Sequence, residues 1–363
     1  MSATSTLFSP VTVAGLELRN RIVVPPMCQY SARDGLAGDW HLVHYGQMAA
    51  SGAGMVILEA TAVSAEGRIS PFDVGLYSDK AEAAFGRLVA GVRAVADTPL
   101  AVQLAHAGRK ASTSPPWEGG ARVAAKDGGW ETIAPSALPF RDDEPAPAPL
   151  DRQGLARVCD NFTAAAERAG RAGIDAIEIH AAHGYLLHQF LSPLANTRTD
   201  SYGGSLENRM RFPLEVFDAV RAVFPAGRPV GVRISATDWV DGSWDTAQSA
   251  GFCRELERRG CAYIHVSSAG VSPLQKVPVG PGYQVPLAAE IRRHVGIPVI
   301  AVGLITEAAQ AEAIVTGGKA DMVAVGRGML YNPRWPWHAA AQLSAKVTVP
   351  RQYWRAAPAG IIA

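Results

Sequence analysis

Eight short apolar, β-rich runs recur along the chain, with stretches of helical periodicity lying between them. The runs are Arg21–Val24, Met55–Glu59, Leu100–Leu104, Ala176–Ile179, Val230–Ile234, Tyr263–Val266, Val299–Val302 and Met322–Val325. They are apolar throughout rather than alternating, which suits strands buried on both faces, as in a parallel sheet covered by helices. Helices are expected over Asp79–Ala96, Asp151–Ala172, Leu206–Val223, Ala247–Arg259 and Thr306–Thr316. Asp151 and Thr306 are suited to cap two of these, and Gly317-Gly318 ends the last. Eight strands alternating with helices predict an α/β protein, a single (β/α)8 TIM barrel rather than an open sheet.

The length of 363 residues does not force a division, because α/β barrels commonly run to roughly 250 residues or more as one unit. One domain over residues 1–363 is expected. Before the first run, Val11–Leu18 reads as a hairpin turning at Ala14-Gly15 that plugs the barrel's bottom. After the third, residues 105–149 are rich in Pro and Gly and lack helical periodicity; a connection of that length usually works as a lid over a site.

A formal net charge of +1, with no block of Lys or Arg, argues against nucleic acid as a partner. Met1 to Thr12 lacks the basic start and apolar run of a leader, and no stretch reaches the roughly 18 apolar residues of a membrane span. Cys28, Cys159, Cys253 and Cys261 are scattered, with no C-x-x-C pair, so neither a zinc site nor an iron–sulfur cluster is expected. The plain reading is a protein of a reducing cytoplasm.

In such barrels the active site lies where the strands' C-terminal ends meet their loops. Polar and glycine residues collect there: Cys28 to Tyr30, Glu59-Ala60-Thr61, Gln103, His106, Arg109, Lys110, His180 to Tyr185, Arg233, Ser267-Ser268, Gly303 and Gly326-Arg327. Gly303 and Gly326-Arg327 follow the seventh and eighth strands, the usual place for a phosphate grip in this fold. Glycine admits close approach of backbone N–H groups to the anion, and a guanidinium adds a bidentate contact. Tight turns alone would account for the same glycines. A dinucleotide fingerprint is missing, since Gly52-Ala53-Gly54 precedes its strand, and Gly317-Gly318-Lys319 is followed by Ala320, so it is no P-loop.

From His180 to Phe212 the chain reads HAAHGYLLHQFLSPLANTRTDSYGGSLENRMRF, which resembles the signature of the Old Yellow Enzyme family. PPMCQY at Pro25–Tyr30, EATAV at Glu59–Val63, QLAHAGRK at Gln103–Lys110 and GPGYQVP at Gly280–Pro286 match too, as do AVGLIT at Ala301–Thr306 and VGRGMLYNPRW at Val325–Trp335. Cys28 with the His180/His183 pair is similar to the bacterial, thermophilic-like ene-reductase branch. The resemblance implies FMN held non-covalently, NADPH (or NADH) as reductant, and an activated alkene as the small-molecule substrate. Carried over by position, Pro25, Pro26, Met27 and Cys28 would line the flavin, Ala60, Gln103 and Arg233 would contact its ring, and Ser267, Gly303, Gly326 and Arg327 would hold its phosphate end. His180 and His183 would donate hydrogen bonds to the substrate carbonyl, Tyr185 would protonate the α-carbon, and Tyr30 would position the substrate. Gln352-Tyr353-Trp354-Arg355, within a C-terminal segment 345–363, would reach a neighbouring subunit of a homodimer or homotetramer, with Arg355 entering that subunit's site. Pro25 departs from the small residue usual before Pro26, so its backbone is expected to serve.

Other readings stay open on the residues alone. His180 and His183, three apart, could bind a metal with His106 as a third ligand in a hydrolase. A non-catalytic flavin-binding barrel is another, and the C-terminal segment could pack on its own barrel. A dienoyl-CoA reductase would need a cysteine cluster and a C-terminal extension.

Overall fold

All eight apolar runs become strands of one closed parallel barrel. The computed structural model describes residues 5–363, so the absence of a leader, read from Met1 to Thr12, falls partly outside the described residues. A hairpin of β1 (Val11–Val13) and β2 (Leu16–Leu18) precedes β3 (Ile22–Val24), α1 (Asp39–Ala49), β4 (Met55–Ala62), α2 (Asp79–Arg93) and β5 (Leu100–Ala105). A short parallel pair, β6 (Ile133–Ala134) and β7 (Ala148–Pro149), sits in the long connection to α3 (Arg152–Arg171). Then come β8 (Ala176–Ala181), α4 (Leu186–Leu191), α5 (Leu206–Val223), β9 (Val230–Ser235), α6 (Thr246–Arg258) and β10 (Ile264–Ser267). The chain finishes with α7 (Val285–Arg292), β11 (Val299–Ala301), α8 (Ala308–Thr316), β12 (Met322–Ala324), α9 (Arg327–Tyr331) and α10 (Trp335–Gln342). The barrel runs β3-β4-β5-β8-β9-β10-β11-β12 and closes through Val323 beside Ile22.

Every residue of these eight strands is buried, which is why the runs show no polar alternation. Alternate side chains divide between two cores. Val56, Val102, Ile177 and Val299 pack outward against helix residues such as Phe85, Phe162 and Ile291. Ile57, Ala101, Ala176, Ile300 and Met322 fill the barrel, and Val13 and Leu18 of the hairpin join them. The hairpin therefore plugs the interior, turning through Ala14 and Gly15 at φ 45° and 90°.

Asp151 caps α3, its Oδ1 accepting the Gly154 N–H at 2.7 Å. Thr306 caps nothing: α8 begins two residues later with Glu307 at its N-cap, and the Thr306 carbonyl accepts the Trp335 indole N–H at 2.6 Å. Helix α1 is absent from the sequence expectations. Its buried face is His41, His44, Tyr45 and Met48, spaced for a helix but too polar to register as an apolar stripe.

A β-bulge at Glu59 shifts the β4–β5 register between Leu58 and Ala60. The bulged residue turns out of the barrel, and Ala60 faces inward opposite Gln103. The turned-out carboxylate is wholly buried; it accepts the Tyr45 hydroxyl at 3.0 Å and the Gln29 N–H at 3.0 Å, tying the Pro25–Tyr30 segment to α1.

Burial raises the Glu59 carboxyl from 4.5 to about 8. Between those values the unfolded chain has released the proton that the fold still holds, so stability falls as pH rises through this window. Glu59→Gln, which stays neutral, is expected to flatten that loss. Thermal melts at pH 5 and pH 8 test this, and a variant whose pH slope equals that of the parent refutes it.

Candidate active site

His180 ends β8 with its ring inside the barrel mouth, 3% exposed. The backbone N–H of Ala182 donates to its Nδ1 at 3.2 Å. A backbone N–H can only donate, so Nδ1 is the acceptor and Nε2 carries the proton. His180 Nε2 lies 3.3 Å from His183 Nδ1, which makes that Nδ1 an acceptor in turn. His183 Nε2–H then donates to Ser267 Oγ at 2.7 Å, and Ser267 passes its own proton to Gln284 Oε1 at 3.3 Å. One polarised chain thus runs from a β8 loop to β10 and the start of α7. Burial, and next Arg233, push both imidazoles well below the usual range, so both are neutral donors and acceptors.

Two loops with left-handed backbone flank this network. His183 has φ 57°, Ala269 69° and Gly270 100°, and a Cβ on Gly184 would collide with the Gly270 carbonyl. Glycine is required where these two loops cross. Lys110 locks the crossing, its Nζ donating to the carbonyls of His183 and Gly270 at 2.8 Å each. Burial lowers this ammonium to about 8. The second half of the HAAHGYLLHQ stretch holds the first: His188 Nδ1 accepts the Gly184 N–H at 2.8 Å, and Gln189 Nε2 donates to the Gly184 carbonyl at 2.7 Å. Asp238, buried, lies 2.9 Å from His188 Nε2.

Tyr185 stands edge-on to His180 with centroids 4.9 Å apart. Burial raises its phenol well above the ordinary value, so it keeps its proton. Tyr30, at φ 50°, meets Trp117 of the long loop edge-on at 5.5 Å. That loop is ordered by Arg109, which donates to the carbonyls of Leu138, Pro139 and Val271. Cys28 is half-buried; burial, then Asp73 and Glu59, raise its thiol well above the usual value, so it is no thiolate.

Arg233 is buried in β9, and its Nε has no hydrogen-bond partner among the described residues. It lines a cavity of about 230 Å³ with His183, Ser267, Gly303, Gly326 and Arg327. Six expected site residues from β8 to α9 are brought to one hollow. Gly303 has φ 124° and a Cβ there would press on the Gln284 side chain. Pro25 and Met27 lie against Gly326. A larger surface cleft, about 660 Å³, lies between α5 and α6 and is lined by Arg and Glu side chains, with none of the expected residues.

The sequence profile of the NADH:flavin oxidoreductase / NADH oxidase family matches residues 6–346. The chain belongs to this family. It is 44% identical over 351 residues to the NADPH dehydrogenase of Geobacillus thermodenitrificans (strain NG80-2), covering 96% of this chain and 98% of that one. Identity to the NADPH dehydrogenase of Listeria innocua serovar 6a is 44% over 354 residues, covering 97% and 99%. Among solved structures, morphinone reductase superposes with a TM-score of 0.78 at 32% identity, over 96% of this chain and 92% of that one. The old yellow enzyme homologue of Zymomonas mobilis gives 0.77 at 27%, over 95% and 94%. The Old Yellow Enzyme resemblance is borne out, and with it a flavin-dependent oxidoreductase.

The residues fit the flavin cofactor of this family. A buried guanidinium with an unpaired N–H, a second arginine and two glycines lining one hollow suit a phosphorylated ring system. The metal reading finds no support in geometry: among the described residues no three His, Cys, Asp or Glu are grouped to hold an ion. His180 and His183 spend ring nitrogens on a backbone N–H and a hydroxyl instead. Arg355 is exposed and, among the described residues, hydrogen-bonds to none of the other candidates. The segment before it docks on its own barrel, with Tyr353 against Trp337 at 5.9 Å and over Arg334. No helix of the described residues is long and apolar enough to cross a membrane.

Sequence reasoning passed over Glu178, His188, Gln189, Asp238, His265 and Gln284. The first sits within an apolar strand, and Gln284 lay unassigned in the GPGYQVP match. Glu178, His265 and Asp238 find partners 46 or more positions away, so spacing carried no signal for them.

Proposed function

We propose that this chain is an FMN-dependent NADPH:alkene oxidoreductase, an ene-reductase acting as one domain on α,β-unsaturated carbonyls and related activated alkenes. The observation that carries the reading is the neutral His180/His183 pair at the rim of a hollow that also holds the unpaired Arg233. Bound FMN, with NADPH or NADH as its reductant, would supply the hydride for the substrate's β-carbon. The relatives named NADPH dehydrogenase favour NADPH.

Pro25, Pro26, Met27, Cys28, Ala60 and Gln103 line the ring in this reading, Arg233 offsets its negative charge, and Gly303, Gly326 and Arg327 grip the phosphate. Ser267 faces the same hollow, though its hydroxyl is engaged by His183 and Gln284. The substrate oxygen takes the Nε2–H of His180 in place of His183. His183 joins it as a second donor once its ring releases Ser267. These N–H groups stabilise the charge that gathers on the oxygen. Tyr185 delivers its proton to the α-carbon, and Tyr30 with Trp117 closes over the substrate. Arg355 is exposed, which suits its entry into a neighbouring subunit of a homodimer or homotetramer.

The purified protein is expected to be yellow, to bleach on anaerobic NADPH addition and to regain colour with 2-cyclohexenone. Bleached protein that recolours only with oxygen refutes the alkene as oxidant, and a colourless protein that takes up no FMN refutes the whole reading.

A further inference from the structure

Below the site, the barrel interior is apolar: Ala101, Ala176, Ile300 and Met322. One tier higher it is crowded with polar groups that the mechanism above leaves unused. Glu178, wholly buried on β8, accepts Gln103 Nε2 at 2.7 Å through Oε1, and its Oε2 lies 2.8 Å from His265 Nδ1. Glu178 is the register partner of Gln103, and His265 that of Arg233, which in turn pairs with His180. The network is continuous from β5 to β10. His265 Nε2 and Arg233 Nε are both buried without a partner among the described residues.

A fold has little use for this arrangement. Burying an ion pair is often no better for stability than packing apolar residues of the same volume, and the tier beneath does so. Its chemistry suits a ring above it. A carboxylate only accepts, so Gln103 must turn its NH2 toward Glu178 and present its carbonyl oxygen as acceptor to a ring N–H. The carboxylate is also the leading favourable charge for the buried Arg233, whose guanidinium burial otherwise disfavours. Hydride transfer from NADPH brings the ring two electrons and one proton equivalent, releasing NADP+ and leaving the reduced ring with one negative charge. Arg233 favours that charge and Glu178 opposes it.

We propose that Glu178, held by His265, is a positioning residue that sets the orientation of the Gln103 amide and lowers the reduction potential of bound FMN by offsetting Arg233. This rests on the ene-reductase reading above. A lower potential makes the reduced ring a stronger hydride donor toward weakly activated alkenes.

Spectroelectrochemical titration of the FMN-loaded protein at fixed pH tests this. Glu178→Gln keeps the shape and removes the charge, so reduced FMN is expected to be held about tenfold more tightly relative to oxidised FMN, a positive shift of about 30 mV for a two-electron couple. His265→Phe, which strips one hydrogen bond from the carboxylate and leaves its charge less offset, is expected to move the potential the other way by less, and serves where the first variant does not fold. A parent protein that binds no FMN overturns the functional reading itself. A parent that binds FMN, with variants whose melting temperature falls while the potential stays put, leaves Glu178 a purely structural residue and overturns this inference.

Discussion

His180→Ala is expected to lower kcat toward 2-cyclohexenone by about 100- to 1000-fold, the usual cost of one preorganised oxyanion donor, while FMN stays bound. The ring is held in one tautomer by the Ala182 N–H and is kept neutral by burial, so its Nε2–H is ready where charge develops. Alanine removes that donor and also leaves His183 Nδ1 without the partner that orients it. His180 is thus expected to matter more than a lone hydrogen bond. Stopped-flow measurement separates the halves of the cycle: reduction by NADPH should change far less than reoxidation by the alkene. Loss of less than tenfold in the reoxidation step would remove His180 from the chemistry.

Arg233→Met is expected to weaken FMN binding by roughly 10- to 100-fold, since a hydrogen bond to a charged group contributes about 1.5–3 kcal/mol. The same change should also lower the melting temperature, because the Glu178 carboxylate and the buried Arg233 guanidinium favour one another across the barrel. Methionine matches the length of the arginine stem, so the packing of β9 is largely kept. Arg233→Lys restores the charge without the planar fork and should recover stability better than FMN affinity. Fluorescence titration with FMN and thermal melts read the two effects separately. A methionine variant that purifies with a full complement of FMN and an unchanged melting temperature contradicts both.

The expectations from sequence met the structure unevenly, and the pattern has a cause. Strand positions were recovered because continuous apolar runs of that length are forced by burial on both faces. The cap at Asp151 was recovered, and that at Thr306 was not, because a capping side chain competes with tertiary partners: the segment at Thr306 is committed to Trp335. Helix α1 escaped notice because its buried side carries His41, His44 and Tyr45; His41 and Tyr45 turn their polar atoms to Glu59 and the Gly38 backbone. The long loop after β5 was expected as a lid; Trp117 within it meets Tyr30.

Sequence alone determined the eightfold alternation, hence the barrel, and hence that the residues ending each strand would converge. It also determined the family, through motifs whose order along the chain mirrors the order of strands. Which polar groups meet was decided only by the closed sheet. His183 reaches Ser267 across 84 positions, Gln103 reaches Glu178 across 75, and Lys110 spans loops 73 and 160 positions away. Those pairings depend on strand register, on one bulge at Glu59 and on two left-handed loops that cross. Hydrophobic periodicity says which residues are buried; the tautomer of a histidine, the turn of an amide and the charge of a buried acid follow from neighbours that only the fold supplies.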